Sequence, residues 1–421
     1  MHKTSRNDNH GNGKKNTQIK VLCLFDYLPI VGSSHTKEGV YPTILGAHHD
    51  AGFEVTVAVH KWEDIEELGN FCSMLGVTFI QPRCSVNIGV IDKYMRIAHN
   101  FAKKTWIDWL FFIWKNRNML AGVEEYIESK GRPDIIAGFT AIENTGMSVC
   151  LIGKCYNLPY VVRENRSYYT RGLIKGKLKS RINDIIKSAA IIFTVSPQLG
   201  TNMRNYLDID YNNMVTLQNP VSDNFFNQPD DIKWVNDFAK GRFVFAGWTK
   251  WRNIKRIDIA IEAFAEVHRK NDSVCLIIAG SVPKWAHAMI EKLNLKHAVM
   301  FTGHLDREGI KSLAHGCDCC IVPSDHDTGN NSVLEAMAAG KPVIVTKCGG
   351  SESRITDASL GRIVEKGDVM VFASAMEDVL ININNFNSKH IRDECYRLYS
   401  TKAFGARLIS AYSSLLKCIY S

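Results

Sequence analysis

The chain has 421 residues, of which 45% are hydrophobic and 22% charged, and its formal net charge is +8. That balance excludes a disordered or fibrous chain and suits two domains of ordinary size. No run of 18 apolar residues offers a membrane span, and no nucleic-acid motif accompanies the positive charge.

Residues 1–17 (MHKTSRNDNHGNGKKNT) are polar, basic and aperiodic, and are expected to form a disordered lead-in. The first apolar run, VLCLF from Val21, has the pattern of a buried parallel strand. A loop (DYLPIVGSSH), a helix from Lys37 to about Ala51 and the strand EVTVAV follow. A short strand is expected near Val77–Ile80, then one long helical region from about Ile91 to Lys130. PDIIAGF, LPYVVRE and AIIFTVS read as further strands, with helices at MSVCLIGKCYN and Lys175–Ser188 between them. Alternation at this spacing implies parallel βαβ units.

The turn-rich NPVSDNFFNQPDD from Asn219 marks a boundary, after which a second βα series opens at RFVFAG. The expected layout is an α/β chain with two Rossmann-like domains, at 18–220 and 221–400. An amphipathic helix at 401–421 is suited to packing back on the first domain. Two such halves leave a cleft between the carboxyl ends of their sheets, where open α/β sheets bind ligands. The 12 cysteines show no pairing pattern, and Cys317, Cys319 and Cys320 read as buried strand residues rather than a zinc site. With no leader peptide recognised, a reducing cytoplasm is expected for them.

The most informative segment is Asp327 to Gly350, DTGNNSVLEAMAAGKPVIVTKCGG. It reads as a glycine- and asparagine-bearing loop and a helix starting near Ser332, stopped by Gly340 and Pro342. The free amides of Asn331 to Leu334, including Ser332 and Val333, would suit a phosphate. The same residues also allow a purely structural reading, in which Ser332-x-x-Glu335 is a capping box and Asp327 an idle loop acid.

An acidic residue, seven intervening residues and then Glu-Ala-Met-Ala-x-Gly-x-Pro-Val-Ile resembles the donor-binding signature of glycosyltransferase family 4. RENRSYYTRG, VSPQL, NPVSDNFF, KRIDIAIEAF and FTGHLDREGIKSL fall in that family's order and spacing. The resemblance implies a GT-B fold and retaining transfer from a nucleotide-diphosphate sugar. It implies that Glu335 binds the donor ribose and that Asp327, an aspartate where glutamate is usual, reaches the transferring sugar. In the loop GWTKWRNIKRID it implies diphosphate contacts from Lys255 and from Arg252 or Lys250, Arg252 being the favoured choice. Asn330 and Asn331 complete the donor set. Gly32 and Ser33 take the place of the small residues that approach the phosphate or sugar, and Glu164 and Asn165 stand on the acceptor side. Two departures are visible. Ala137 and Phe139 stand where many relatives carry histidines, and Asn165 follows Glu164 where relatives often place a histidine.

No metal or other cofactor is expected, since basic side chains neutralise the diphosphate. The acceptor is expected to be a glycan or a lipid-linked glycan of the cell envelope, with the protein cytoplasmic or peripheral at the inner face of the membrane. KKTWIDWLFFIWKNR (Lys103 to Arg117) fits either an interfacial helix or a helix packed on its own sheet. A nucleotide-sugar epimerase, or a catalytically silent binding protein, on the same fold remains an open alternative.

Overall fold

The computed structural model describes residues 18–28, 40–62, 64–83, 88–102, 105–142, 144–208 and 212–420. Gly32 and Ser33, Lys103 and Lys104, and the lead-in lie outside the described residues.

Among the described residues the first sheet has seven strands: β1 (Lys20–Tyr27), β2 (Glu54–Lys61), β3 (Thr78–Phe79), β4 (Ile135–Gly138), β5 (Tyr160–Glu164), β6 (Ile191–Thr194) and β7 (Met214–Thr216). Their order is β3-β2-β1-β4-β5-β6-β7, and the pairings are parallel. The flanking helices are α1 (Val40–Asp50), α2 (Ile65–Met74), α3 (Ile88–Phe101), α4 (Trp106–Lys115), α5 (Arg117–Lys130), α6 (Asn144–Tyr156), α7 (Gly176–Ser188) and α8 (Pro197–Leu207). Val21 to Phe25 are each 1% exposed or less, because a parallel strand covered on both faces has no solvent side.

The second sheet has six strands: β8 (Phe243–Trp248), β9 (Val274–Ala279), β10 (Val299–Gly303), β11 (Cys319–Val322), β12 (Val343–Thr346) and β13 (Gly361–Val364). Its order is β10-β9-β8-β11-β12-β13, again parallel. Its helices are α9 (Lys233–Ala239), α10 (Ile257–Lys270), α11 (Lys284–Lys292), α12 (Arg307–Gly316), α13 (Asn331–Ala338), α14 (Val369–Ile381) and α15 (Ser388–Tyr399). Cys317, Cys319 and Cys320 are fully buried at β11, and desolvation pushes the Cys317 thiol up to about 12. In each sheet the strand order reverses once, between β1 and β4 and between β8 and β11. Those are the positions where doubly wound sheets open a crevice.

The last helix, α16 (Thr401–Tyr420), returns to the first domain. Phe404, Leu408 and Tyr412 join the core formed by Val21, Ile44 and Val57. His48 on α1 ties this contact: one ring nitrogen meets the Ile44 carbonyl at 2.8 Å and the other the Tyr412 hydroxyl at 3.3 Å. The chain therefore crosses between domains twice, and the crossings touch where the Val221 amide donates to the Tyr399 carbonyl at 2.9 Å.

The long helical region expected from about Ile91 to Lys130 consists of three helices among the described residues, α3, α4 and α5. Buried Asn116 separates α4 from α5: its Nδ2 donates to the Phe112 carbonyl at 2.9 Å, and its Oδ1 meets His60 at 2.8 Å. A polar side chain that closes a helix in this way outweighs the continuous apolar pattern around it.

Candidate active site

Three loops at the carboxyl edge of the second sheet build one wall of the cleft. The first follows β8 and carries Lys250, Arg252 and Lys255; the second joins β10 to α12; the third joins β11 to α13. Asn330 caps α13, its Oδ1 accepting from the Ser332 amide at 3.1 Å and the Ser332 hydroxyl at 2.8 Å. Glu335 thus lies beyond the first turn, too far along to close back on the helix start. Its Oε2 accepts from Trp248 Nε1 at 2.7 Å and its Oε1 from Arg307 at 2.8 Å. The capping box read from Ser332-x-x-Glu335 does not form, because Asn330 has taken the cap. One orphan amide, that of Ser332, is thereby satisfied. Val333 is fully buried, so its side chain makes no cleft contact.

Lys255 and Asp327 form an ion pair, each side chain 10% exposed. Asp327 Oδ1 also accepts from the Gly329 amide at 3.1 Å. This pair divides the cleft into two lobes, and Lys255, Asp327 and Gly329 border both. One lobe, of about 750 Å³, belongs to the second domain and is lined by Lys250, His304, Arg307, Asn330, Asn331, Ser332 and Glu335. The other, of about 430 Å³, lies between the domains and brings Arg252, His326 and Lys255 opposite Tyr41, Asn165 and Arg171. Arg252 therefore faces the interdomain lobe and Lys250 the larger one.

The two walls are joined by specific bonds. The Thr328 hydroxyl donates to the Asn165 carbonyl at 2.7 Å, and Asn219 Nδ2 donates to Asn331 Oδ1 at 2.8 Å.

Glu164 does not reach the cleft. It is fully buried, and its carboxylate accepts from the amides of Ala141, Asn165 and Arg166 and from the hydroxyls of Thr140 and Tyr169. Desolvation raises its pKa, opposed by those amide bonds. It fixes the loop that presents Asn165, which is the contact the lobe receives. Phe139, one of the two residues in the place of histidines, stacks on Phe25 with ring centroids 4.2 Å apart.

Sequence reasoning assigned no role to Trp248, Arg307 or Arg354. Arg354 is fully buried beneath the Gly329 loop, and a Cβ added at Gly329 would come within 3.0 Å of its Nη2. Among the described residues its Nε and Nη2 have no hydrogen-bond partner. Burial lowers its pKa, with the Tyr399 hydroxyl and the Asp327 carboxylate pulling the other way. No helical or strand periodicity signals such a residue. Among the described residues, no three His, Cys, Asp or Glu side chains gather as a metal site. No helix among them is long and apolar enough to cross a membrane.

Two parallel-sheet Rossmann-like domains facing across a two-lobed cleft define the GT-B architecture. Residues 240–382, the wall that carries Lys255, Asp327 and Glu335, match the family described as Glycosyl transferases group 1. The chain is similar to the glycogen synthase of Mycobacterium tuberculosis, 30% identical over 128 residues that cover 30% of this chain and 31% of that one. It is also similar to N-acetyl-alpha-D-glucosaminyl L-malate synthase of Bacillus anthracis, 23% identical over 173 residues, 40% of this chain and 45% of that one. The match spans roughly a third to a half of these relatives' length. In fold, it is similar to Anabaena HepE solved with UDP and glucose, with a TM-score of 0.69 at 15% identity. That match covers 94% of this chain and all of the other. Sucrose-phosphate synthase from Thermosynechococcus elongatus gives a TM-score of 0.70 at 15% identity, over 95% and 100%.

Proposed function

We propose that this chain is a retaining, family 4-type glycosyltransferase. It moves a sugar from a nucleotide-diphosphate sugar to a glycan or lipid-linked acceptor in cell-envelope polysaccharide synthesis, at the cytoplasmic face of the membrane. The observation that carries this reading is the Lys255–Asp327 pair at the junction of the two lobes, with Glu335 lining the larger one. The larger lobe takes the nucleotide: Glu335, already oriented by Trp248 and Arg307, accepts from the ribose hydroxyls. The diphosphate then extends along the α13 start toward Lys255, whose positive charge meets the negative charge that grows on the leaving oxygen.

The sugar sits at the junction, and the acceptor hydroxyl enters from the interdomain lobe beside Arg252 and Asn165. The bond from the anomeric carbon to the diphosphate oxygen breaks as the bond to the acceptor oxygen forms on the same face. The acceptor proton passes to the departing phosphate. Asp327 is the carboxylate that borders both lobes, and it stabilises the oxocarbenium-like carbon between them. Lys255, with Lys250 on the same lobe, supplies the charge neutralisation, so no step is assigned to a metal.

The test is a thermal-shift screen across UDP-, GDP-, dTDP- and CMP-sugars, followed by transfer assays on Lys255→Ala and Glu335→Ala. Selective stabilisation by one nucleotide class, with transfer abolished in both variants while the fold persists, is expected. Isomerised donor in the absence of acceptor indicates an epimerase instead. Unchanged transfer in both variants overturns the assignment.

A further inference from the structure

Beside the cleft, a separate pocket of about 480 Å³ opens at the carboxyl edge of the first sheet. It lies over β2, β1 and β4, where the strand order reverses. Three cations face it from three elements: Lys61 at the end of β2, Lys115 at the end of α4 and Arg181 in α7. Among the described residues neither lysine has an ion-pair partner, and the buried Nε of Arg181 has no hydrogen-bond partner.

Two acids share the pocket. Asp26 is committed to the start of α6, accepting from the Asn144 amide at 3.1 Å and the Thr145 hydroxyl at 2.7 Å. Asp108 acts on Arg181 through its charge. What remains favours an anion.

The pocket has an apolar rim. The inner side of α4 buries Trp109, Phe112 and Ile113, while Ile107, Phe111 and Trp114, at i, i+4 and i+7, are 65%, 69% and 57% exposed. Phe111 itself borders the pocket. Arg117 holds its guanidinium 4.8 Å from the Trp114 ring centroid. A helix that already fills its core-facing side has no packing reason for a second apolar ridge in water. Aromatic rings beside cations match the depth profile of a bilayer surface, with acyl boundary below and phosphate above.

We propose that this pocket seats the phosphate of an anionic membrane lipid, with Ile107, Phe111 and Trp114 dipped into the acyl boundary beside it. Membrane docking stands on these residues alone. Its link to a lipid-borne acceptor rests on the transferase reading, since the pocket and the interdomain lobe share the carboxyl edge of one sheet.

The test spins the full chain with phosphatidylcholine vesicles that contain or lack phosphatidylglycerol, and melts it with and without inorganic phosphate or UDP. The chain is expected to sediment with the anionic vesicles and to come off as salt rises. The Phe111→Ser/Trp114→Ser double variant should lose at least about tenfold in vesicle affinity, for the two exposed rings removed. Lys115→Gln and Arg181→Gln should each lose about fivefold, for one juxtamembrane charge. The melt shift with UDP should match the wild type in all of them, since none lies in the donor lobe.

Failure of the wild type to bind anionic vesicles overturns the proposal, and so does undiminished binding by the ring double variant. Stabilisation by inorganic phosphate without vesicle binding assigns the pocket to a soluble phosphate and overturns the lipid. If docking behaves as expected while no nucleotide sugar shifts the melt, the transferase reading falls and the docking surface remains.

Discussion

Trp248 Nε1 donates to Oε2 of Glu335 at 2.7 Å, joining the end of β8 to the middle of α13 across 87 residues of sequence. Both residues are buried, and Arg307 takes the other carboxylate oxygen. Three elements thereby aim one carboxylate into the larger lobe before any ligand arrives.

Replacing that donor tests the aim. Trp248→Phe keeps an aromatic ring in the core but removes the indole N–H, leaving Oε2 without its partner. A hydrogen bond to a charged group contributes about 1.5–3 kcal/mol. Nucleotide affinity measured by calorimetry is expected to fall by about tenfold or more, with the melting temperature down by only a few degrees. Unaltered affinity would mean that the carboxylate is aimed by Arg307 alone.

This contact also marks the edge of what the sequence discloses. The strands were legible because buried parallel strands are near-continuous apolar runs, as VLCLF and VCLIIA are. β7 and β13 escaped notice because Val215 and Ile363 are exposed on short edge strands and make no such run. The loop residues of the second domain's cleft wall could be named from their motif. The side-chain partners could not, since Trp248, Arg307 and Glu335 meet only through tertiary folding. Glu164 shows the converse. Its position in RENRSYYTRG suggested a cleft contact, but five different groups turn its carboxylate inward, and no local pattern encodes that direction.

Gly350 gives a prediction about backbone approach. A Cβ there would lie 2.2 Å from the Thr328 carbonyl oxygen and 2.4 Å from its carbon, in the segment between Asp327 and Gly329. Gly350→Ala must push that segment away, at about 1–3 kcal/mol of strain. Thr328 also bonds to Asn165 across the cleft, so the shift separates the walls as well. Transfer is expected to fall at least about tenfold while nucleotide binding in the larger lobe changes little. Normal turnover in this variant would show that the loop tolerates the displacement.

Arg354 separates stability from function. A buried guanidinium with Nε and Nη2 unpartnered costs folding energy, and an apolar residue of similar length removes that cost. Arg354→Met is therefore expected to hold or raise the melting temperature. The same change removes a positive charge from beneath the Gly329 loop, so diphosphate affinity should drop several-fold. A large loss of stability would assign Arg354 to the scaffold instead.

The last prediction concerns the return of α16. Burial pushes the His48 imidazole down from 6.5 to about 4, opposed by its bond to the Ile44 carbonyl and assisted by the Arg163 charge. A histidine with a depressed folded-state pKa takes up its proton more readily in the unfolded chain, so acid favours unfolding. The contribution is full above pH 6.5 and is lost as the pH falls toward 4. Its ceiling is about 3 kcal/mol, taking 1.36 kcal/mol for each pH unit between those values. His60 and His315, also lowered by burial, add to the slope in the same direction. Because His48 meets Tyr412, the helix at the C-terminus should loosen first. Protection of the amides in residues 401–420, taken relative to the intrinsic exchange rate at each pH, is expected to fall between about pH 7 and about pH 5, ahead of the second domain. His48→Gln removes one titrating group and should flatten the pH dependence of the melt by part of that amount. Equal acid sensitivity in wild type and variant would place the proton uptake at the other buried histidines.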